Sequence, residues 1–160
     1  MVKMYCGGTN SPVANIFSRK EHDMTKEEIF EFIKTNRTAW MATIEGDQPR
    51  VRAMGIPKAD ENGIIIQTWT IKDIHQQVVN NPKIELCFND LKGGVQVRVS
   101  GTAEIIDDIA AKEKMVEERP FMKPTVEKHG IDVVALYRLK GKATVWTMAQ
   151  NFEPKEYIDL

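Results

Sequence analysis

Val95-Gln96-Val97-Arg98-Val99-Ser100, continued by Gly101-Thr102-Ala103-Glu104-Ile105-Ile106, alternates apolar and polar side chains. Successive side chains of a strand point to opposite faces, so Val95, Val97 and Val99 share one face and Gln96, Arg98 and Ser100 the other. Upstream, Ile84, Leu86 and Phe88 alternate with Glu85 and Cys87, and Gly93-Gly94 separates these two half-buried strands. Working outward, residues 39–44 and 50–57 read as strands around the turn cluster Glu45-Gly46-Asp47-Gln48-Pro49, and a turn at 59–63 leads into a strand over 63–69. Residues 133–139 and 143–148 flank Lys140-Gly141-Lys142, which reads as a closing hairpin.

Helices are fewer. Thr25-Lys26-Glu27-Glu28 has the capping-box pattern, and Ile29, Phe32 and Ile33 come next at helical spacing, so a helix is expected over 25–36. A short helix from Lys72 or Asp73 to Asn80 stops before Pro82. Residues 108–119 are rich in helix formers, and Pro120 and Pro124 are expected to break regular structure beyond Arg119. The tail after Asn151 reads as irregular. With about seven strands joined mostly by tight turns, the expected fold is mainly β (α+β), an antiparallel barrel or sandwich with peripheral helices. Residues 1–22, broken by Gly7, Gly8 and Pro12, read as an arm, and 23–160 as one domain.

Composition sets limits. The 160 residues carry 22 Lys and Arg against 23 Asp and Glu, a net charge of −1. That balance argues against a general electrostatic grip on nucleic acid. Only Cys6 and Cys87 are present, too few for a disulfide scaffold, and no apolar run reaches the ~20 residues of a membrane span. The N-terminus has no signal-peptide pattern, so a cytoplasmic location is expected. Neither nucleotide-loop motif occurs.

The segment with the most chemistry is Gln48-Pro49-Arg50-Val51-Arg52-Ala53-Met54-Gly55. Arg50 and Arg52 share a strand face ~7 Å apart and can close on one phosphate, each with a fork of donors. By periodicity alone they read first as a solvated strand face, and Lys72 shifts that reading. Lys72, in Thr68-Trp69-Thr70-Ile71-Lys72-Asp73, stands at the start of a helix, where backbone N–H groups favour an anion. His22, His75 and His129 have no ligand spacing, so no metal site is expected, and His75 reads as a surface histidine. Cys87 reads as a buried structural thiol, Trp40 as core, and residues 112–118 as a solvated helix face. Trp69 and Trp146 read either as core or interface packing or as groove aromatics.

Gln48-Pro49-Arg50-Val51-Arg52, Thr70-Ile71-Lys72-Asp73, Asn81-Pro82-Lys83-Ile84-Glu85-Leu86-Cys87-Phe88 and Val97-Arg98-Val99-Ser100-Gly101-Thr102-Ala103-Glu104 occur in that order. Together they resemble the pyridoxamine 5′-phosphate oxidase-like FMN-binding split-barrel family, over roughly residues 25–148. The resemblance implies a six-stranded antiparallel split barrel and a homodimer with FMN between the subunits. It implies that Arg50, Val51, Arg52, Ala53 and Met54 lie beside the flavin and its phosphate, with Gln67, Thr68, Trp69 and Thr70 continuing the wall. Lys72 would meet the phosphate, Gln96 would reach the flavin from a neighbouring strand, and Trp146 would line the groove. The oxidase itself has a substrate-phosphate lysine where this chain has Gly55. Its Arg-x-His pair has no counterpart in Thr144-Val145-Trp146-Thr147-Met148-Ala149-Gln150. Pyridoxamine 5′-phosphate is therefore not the expected substrate.

The resemblance implies one of two functions. One is an FMN-dependent oxidoreductase, passing electrons between a reduced nicotinamide or small organic donor and an acceptor. The other is a flavin-binding carrier, sensor or stress-related protein without turnover. A third reading, a small β-barrel binding nucleic acid, is opposed by the net charge and by the lack of aromatics on the Gln96/Arg98/Ser100 face.

Overall fold

Thr25 caps the first helix as its sequence requires. Its hydroxyl accepts from the Glu28 N–H at 3.3 Å, and the Glu28 carboxylate accepts from the Thr25 N–H at 2.6 Å. The computed structural model that contains this helix describes residues 24–160; the expected arm at 1–22, with Cys6 and His22, lies outside the described residues. After α1 (Lys26–Thr35) come β1 (Thr38–Glu45), β2 (Gln48–Gly55), β3 (Lys58–Asp60), β4 (Gly63–Trp69), α2 (Asp73–Asn80), β5 (Lys83–Asp90) and β6 (Val95–Ile105). The chain continues through α3 (Ile109–Glu118), α4 (Lys123–His129), β7 (Val134–Thr147) and β8 (Ile158–Asp159).

These strands form one antiparallel sheet in the order β2-β1-β5-β6-β7-β4-β3, with β8 on β7. Two of the eight strands, β3 and β8, have only three and two residues. The remaining six are the long strands of an open, α+β sheet consistent with the expected split barrel. The inward face obeys the sequence alternation: Ile84, Leu86 and Phe88 of β5 and Val97 and Val99 of β6 are buried. They pack with Ile29 and Ile33 of α1, Met41 of β1, Ile64 and Ile66 of β4 and Leu139 of β7. Each such fully buried side chain stabilises the fold by ~1.5–3 kcal/mol. A smaller cluster joins Met115 and Val116 of α3 to Met122, Val133, Val134 and Leu136. Among the described residues no helix is long and apolar enough to cross a membrane.

Several local readings are corrected. Lys140-Gly141-Lys142 is not a hairpin but the middle of the 14-residue strand β7. Gly141 lies opposite Gly101 of β6, and a Cβ on it would stand 2.0 Å from the Ser100 carbonyl oxygen. This glycine permits close backbone approach in a strand, not a turn. Pro120 and Pro124 start helical turns, occupying first-turn positions that need no N–H donor. The expected 59–63 turn narrows to residues 61–62, because Ala59 pairs with Ile64 and Asp60 with Gly63. The tail is not wholly irregular, since β8 pairs with Lys142 and Ala143.

Side-chain environments also differ. Trp40 is 52% exposed because it alternates with buried Ala39 and Met41 and so faces outward. His75 is half-buried and its Nδ1 lies 2.6 Å from the hydroxyl of buried Tyr137. Lys112 turns inward instead of joining a solvated face, and its ammonium lies 3.3 Å from Asp107. Cys87 is only half-buried, and burial raises its thiol pKa.

Candidate functional site

The outer strand β2 and the near-opposite strand β4 stand far apart in sheet order, yet side chains of both line one groove of about 930 Å³. The sheet therefore curls until its ends approach across a split, and the start of α2 closes the floor. Arg50, Arg52, Ala53 and Met54 come from β2, and Gln67, Thr68 and Trp69 from β4; Lys72, Asp73 and Gln77 belong to the α2 end. Eight of the twelve residues singled out from sequence thus meet here. Val51 points away, as strand alternation requires beside Arg50 and Arg52, and is 65% exposed. Thr70 is held outside by backbone pairing of its N–H with the Val133 carbonyl at 2.8 Å.

The two arginines are held in different ways. Arg50 donates to the Glu45 carboxylate at 2.6–2.7 Å, and both side chains are about half exposed. Such a screened pair has little effect on stability, but it neutralises the Arg50 charge locally. Arg52 instead donates to neutral oxygens, from Nη1 to Thr43 Oγ1 at 2.5 Å and from Nη2 to Gln77 Oε1 at 2.7 Å. The Thr43 hydroxyl in turn donates to the same Gln77 oxygen at 2.6 Å. Burial, and then the charge on Arg50, lower the Arg52 pKa from its ordinary value. The guanidinium stays charged, since arginine holds its proton far above neutral pH. Lys72 is the N-cap residue of α2, exposed and with no side-chain cap bond. The groove thus sets three cations against the carboxylates of Glu45 and Asp73. Its chemistry suits an anion, with Arg52 and the α2 N-terminus as donors.

Gln96 and Trp146 are elsewhere. They face each other in register on β6 and β7 and line a second groove of about 470 Å³, with Arg98, Thr144 and the C-terminal segment around Pro154 and Ile158. Gln96 donates to Asn89 Oδ1 at 3.0 Å, and Arg98 pairs with Glu85. Within one chain ten of the twelve residues therefore divide between two grooves, and Val51 and Thr70 line neither.

Sequence reading missed Thr43, Glu45 and Gln77. Thr43 continues the inward face of β1 beyond Ala39 and Met41, and Gln77 lies beside Ile74 and Val78 on the buried face of α2. A polar residue at a core position is the signal that would have marked both, because a buried polar group needs a partner.

The architecture is a split antiparallel barrel with helices packed on it and a cationic groove at the split. The chain belongs to the pyridoxamine 5′-phosphate oxidase family, whose sequence profile matches residues 25–149. It is similar to the crystal structure of a NimC/NimA family protein from Clostridium acetobutylicum, with 29% identity, a TM-score of 0.67, and 84% of this chain and 92% of that one covered. PhzG from Burkholderia lata, solved with tetrahydrophenazine-1-carboxylic acid, shares the fold at 12% identity and TM-score 0.64, covering 84% of this chain and 89% of that one. HutZ, the heme storage protein from Vibrio cholerae, does so at 15% identity and TM-score 0.58, covering 84% and 98%. Comparison with curated protein sequences found no match.

Proposed function

We propose that the protein is an FMN-binding oxidoreductase that acts as a homodimer, with each flavin held by the β2/β4/α2 groove of one subunit and the β6/β7 groove of its partner. Members of this family commonly bind FMN and are typically dimeric. The observation that carries the reading is Arg52: a half-buried cation whose hydrogen-bond partners among the described residues are neutral, at a groove large enough for a cofactor. An arriving phosphate offers Arg52 a directly bonded negative charge, where Glu45 acts on it only from beyond hydrogen-bond reach and is itself bonded to Arg50. Of the two arginines, Arg52 is the phosphate holder, because Glu45 already compensates Arg50. Lys72 and the first-turn N–H groups of α2 complete the anion site.

The second groove offers what a ring system needs. Trp146 supplies an apolar face and Gln96 a hydrogen-bonding amide, side by side in register. Trp40, Ile44 and Val51 place an exposed apolar surface on the outer face of β1 and β2, suited to covering by a second copy. When bound, FMN would supply hydride and electron transfer; the residues named here bind and orient it. No lysine stands at Gly55, and 144–150 contain neither Arg nor His, so a donor other than pyridoxamine 5′-phosphate is favoured.

Apoprotein titrated with FMN and then supplied with NADH or NADPH tests the reading. Tight uptake of FMN, then bleaching of its visible absorption and reoxidation by an acceptor, is expected. FMN uptake without turnover would leave a binding protein, and absence of uptake would refute the proposal.

A further inference from the structure

A cation half-withdrawn from water normally rests against a carboxylate, and among the described residues Arg52 bonds to none. Its two terminal nitrogens are fixed by Thr43 and Gln77, which are 2% and 5% exposed. The geometry uses the acceptor oxygens of both partners. Gln77 Oε1 accepts from both Arg52 Nη2 and the Thr43 hydroxyl, filling its two lone pairs, while the Thr43 oxygen donates one bond and accepts another. Three elements meet at this point, because Thr43 is on β1, Arg52 on β2 and Gln77 on α2. Gln77 lies on the same short helix that Lys72 caps, so the bond to Arg52 ties β2 to the element that carries the second cation.

We propose that Thr43 and Gln77 are positioning residues, a neutral buried clamp that orients Arg52 without neutralising it and thereby makes the groove select ligands that carry a phosphate ester. The inference rests on the phosphate reading of this groove and adds what gives it selectivity. Glu has nearly the shape of Gln, and a carboxylate at position 77 would hold Arg52 equally firmly. It would also form a charge-assisted pair that competes with any arriving anion. The amide gives orientation and leaves the charge available.

The test compares FMN with riboflavin, which lacks the phosphate, by titrating each into apoprotein. The wild type is expected to prefer FMN. Gln77→Glu is expected to lower FMN affinity by about tenfold or more, as compensating the one charge that grips the phosphate implies, with riboflavin affinity and the apoprotein melting temperature little changed. Thr43→Val is expected to move the FMN-to-riboflavin ratio in the same direction, and Thr43→Ser to restore it. These two variants keep the test decisive should Gln77→Glu fold poorly. A preference that survives both Gln77→Glu and Thr43→Val overturns this inference alone. Equal losses for both ligands assign the pair to packing and overturn it too. A wild type that binds both ligands alike overturns the phosphate reading and the inference with it.

Discussion

Each groove contains an arginine fixed by side-chain hydrogen bonds, Arg52 in one and Arg98 in the other, and the surroundings of those arginines are opposite. In the β6/β7 groove, Arg98 is bonded to Glu85, and that bond raises its pKa; in the β2/β4/α2 groove, burial lowers the pKa of Arg52, whose partners are neutral. A raised pKa marks a charge already stabilised by the chain, and a lowered one marks a charge that would gain from a new anion. The β2/β4/α2 groove is thus built around an unsatisfied charge and the β6/β7 groove around an aromatic face and amides. In the dimer we propose, the first would grip the phosphate and the second the ring.

The largest expected effect breaks the β2/β4/α2 groove. Arg52→Ala should cost about 2–3 kcal/mol of FMN affinity, roughly 30- to 150-fold, from the loss of charge-assisted bonds. Riboflavin affinity should hold, and the apoprotein should melt near the wild-type temperature, because Thr43 and Gln77 keep the bond between them. Titration and thermal melts of the apoprotein check both.

Trp146→Ala breaks the β6/β7 groove. It should weaken FMN and riboflavin alike by about tenfold, as expected for losing one aromatic face. A loss confined to FMN would place Trp146 at the phosphate and reverse the comparison.

A smaller effect separates the grooves by pH. A phosphate monoester loses its second proton near pH ~6 and is a dianion above it. FMN affinity should fall severalfold as the pH drops through that value, while riboflavin affinity stays flat. Fluorescence titrations across that range would show it, and equal pH dependence for both ligands would argue against phosphate recognition.

The smallest effect concerns Arg50. Its charge and that of Glu45 offset each other at the surface, so Arg50→Met combined with Glu45→Gln should change FMN affinity by less than about threefold. A loss as large as that of Arg52→Ala would return the phosphate to Arg50.

Much of this was legible in the chain itself, where a single period governed an element. The inward faces of β5 and β6 obey their alternation, and the capping box located α1. Reading failed where glycine and proline have more than one use. Gly141 serves close approach to Gly101 and not a turn, and Pro120 and Pro124 sit at helix starts. The pair Arg50 and Arg52 was visible, but their difference was not. It depends on Glu45 across a turn and on Gln77, 25 residues from Arg52 on another element. The division of ten of the twelve residues between two grooves depends on how the sheet curls, which no local spacing encodes.

That division gives the most direct test. Arg52→Ala and Trp146→Ala subunits, carrying different tags and co-expressed, can be purified as a heterodimer and titrated with FMN. If each flavin is held by the β2/β4/α2 groove of one subunit and the β6/β7 groove of the other, one site combines both defects and the other combines two intact halves. The account predicts one FMN bound per dimer with wild-type affinity. Two weakened sites, with none at wild-type affinity, would contradict it.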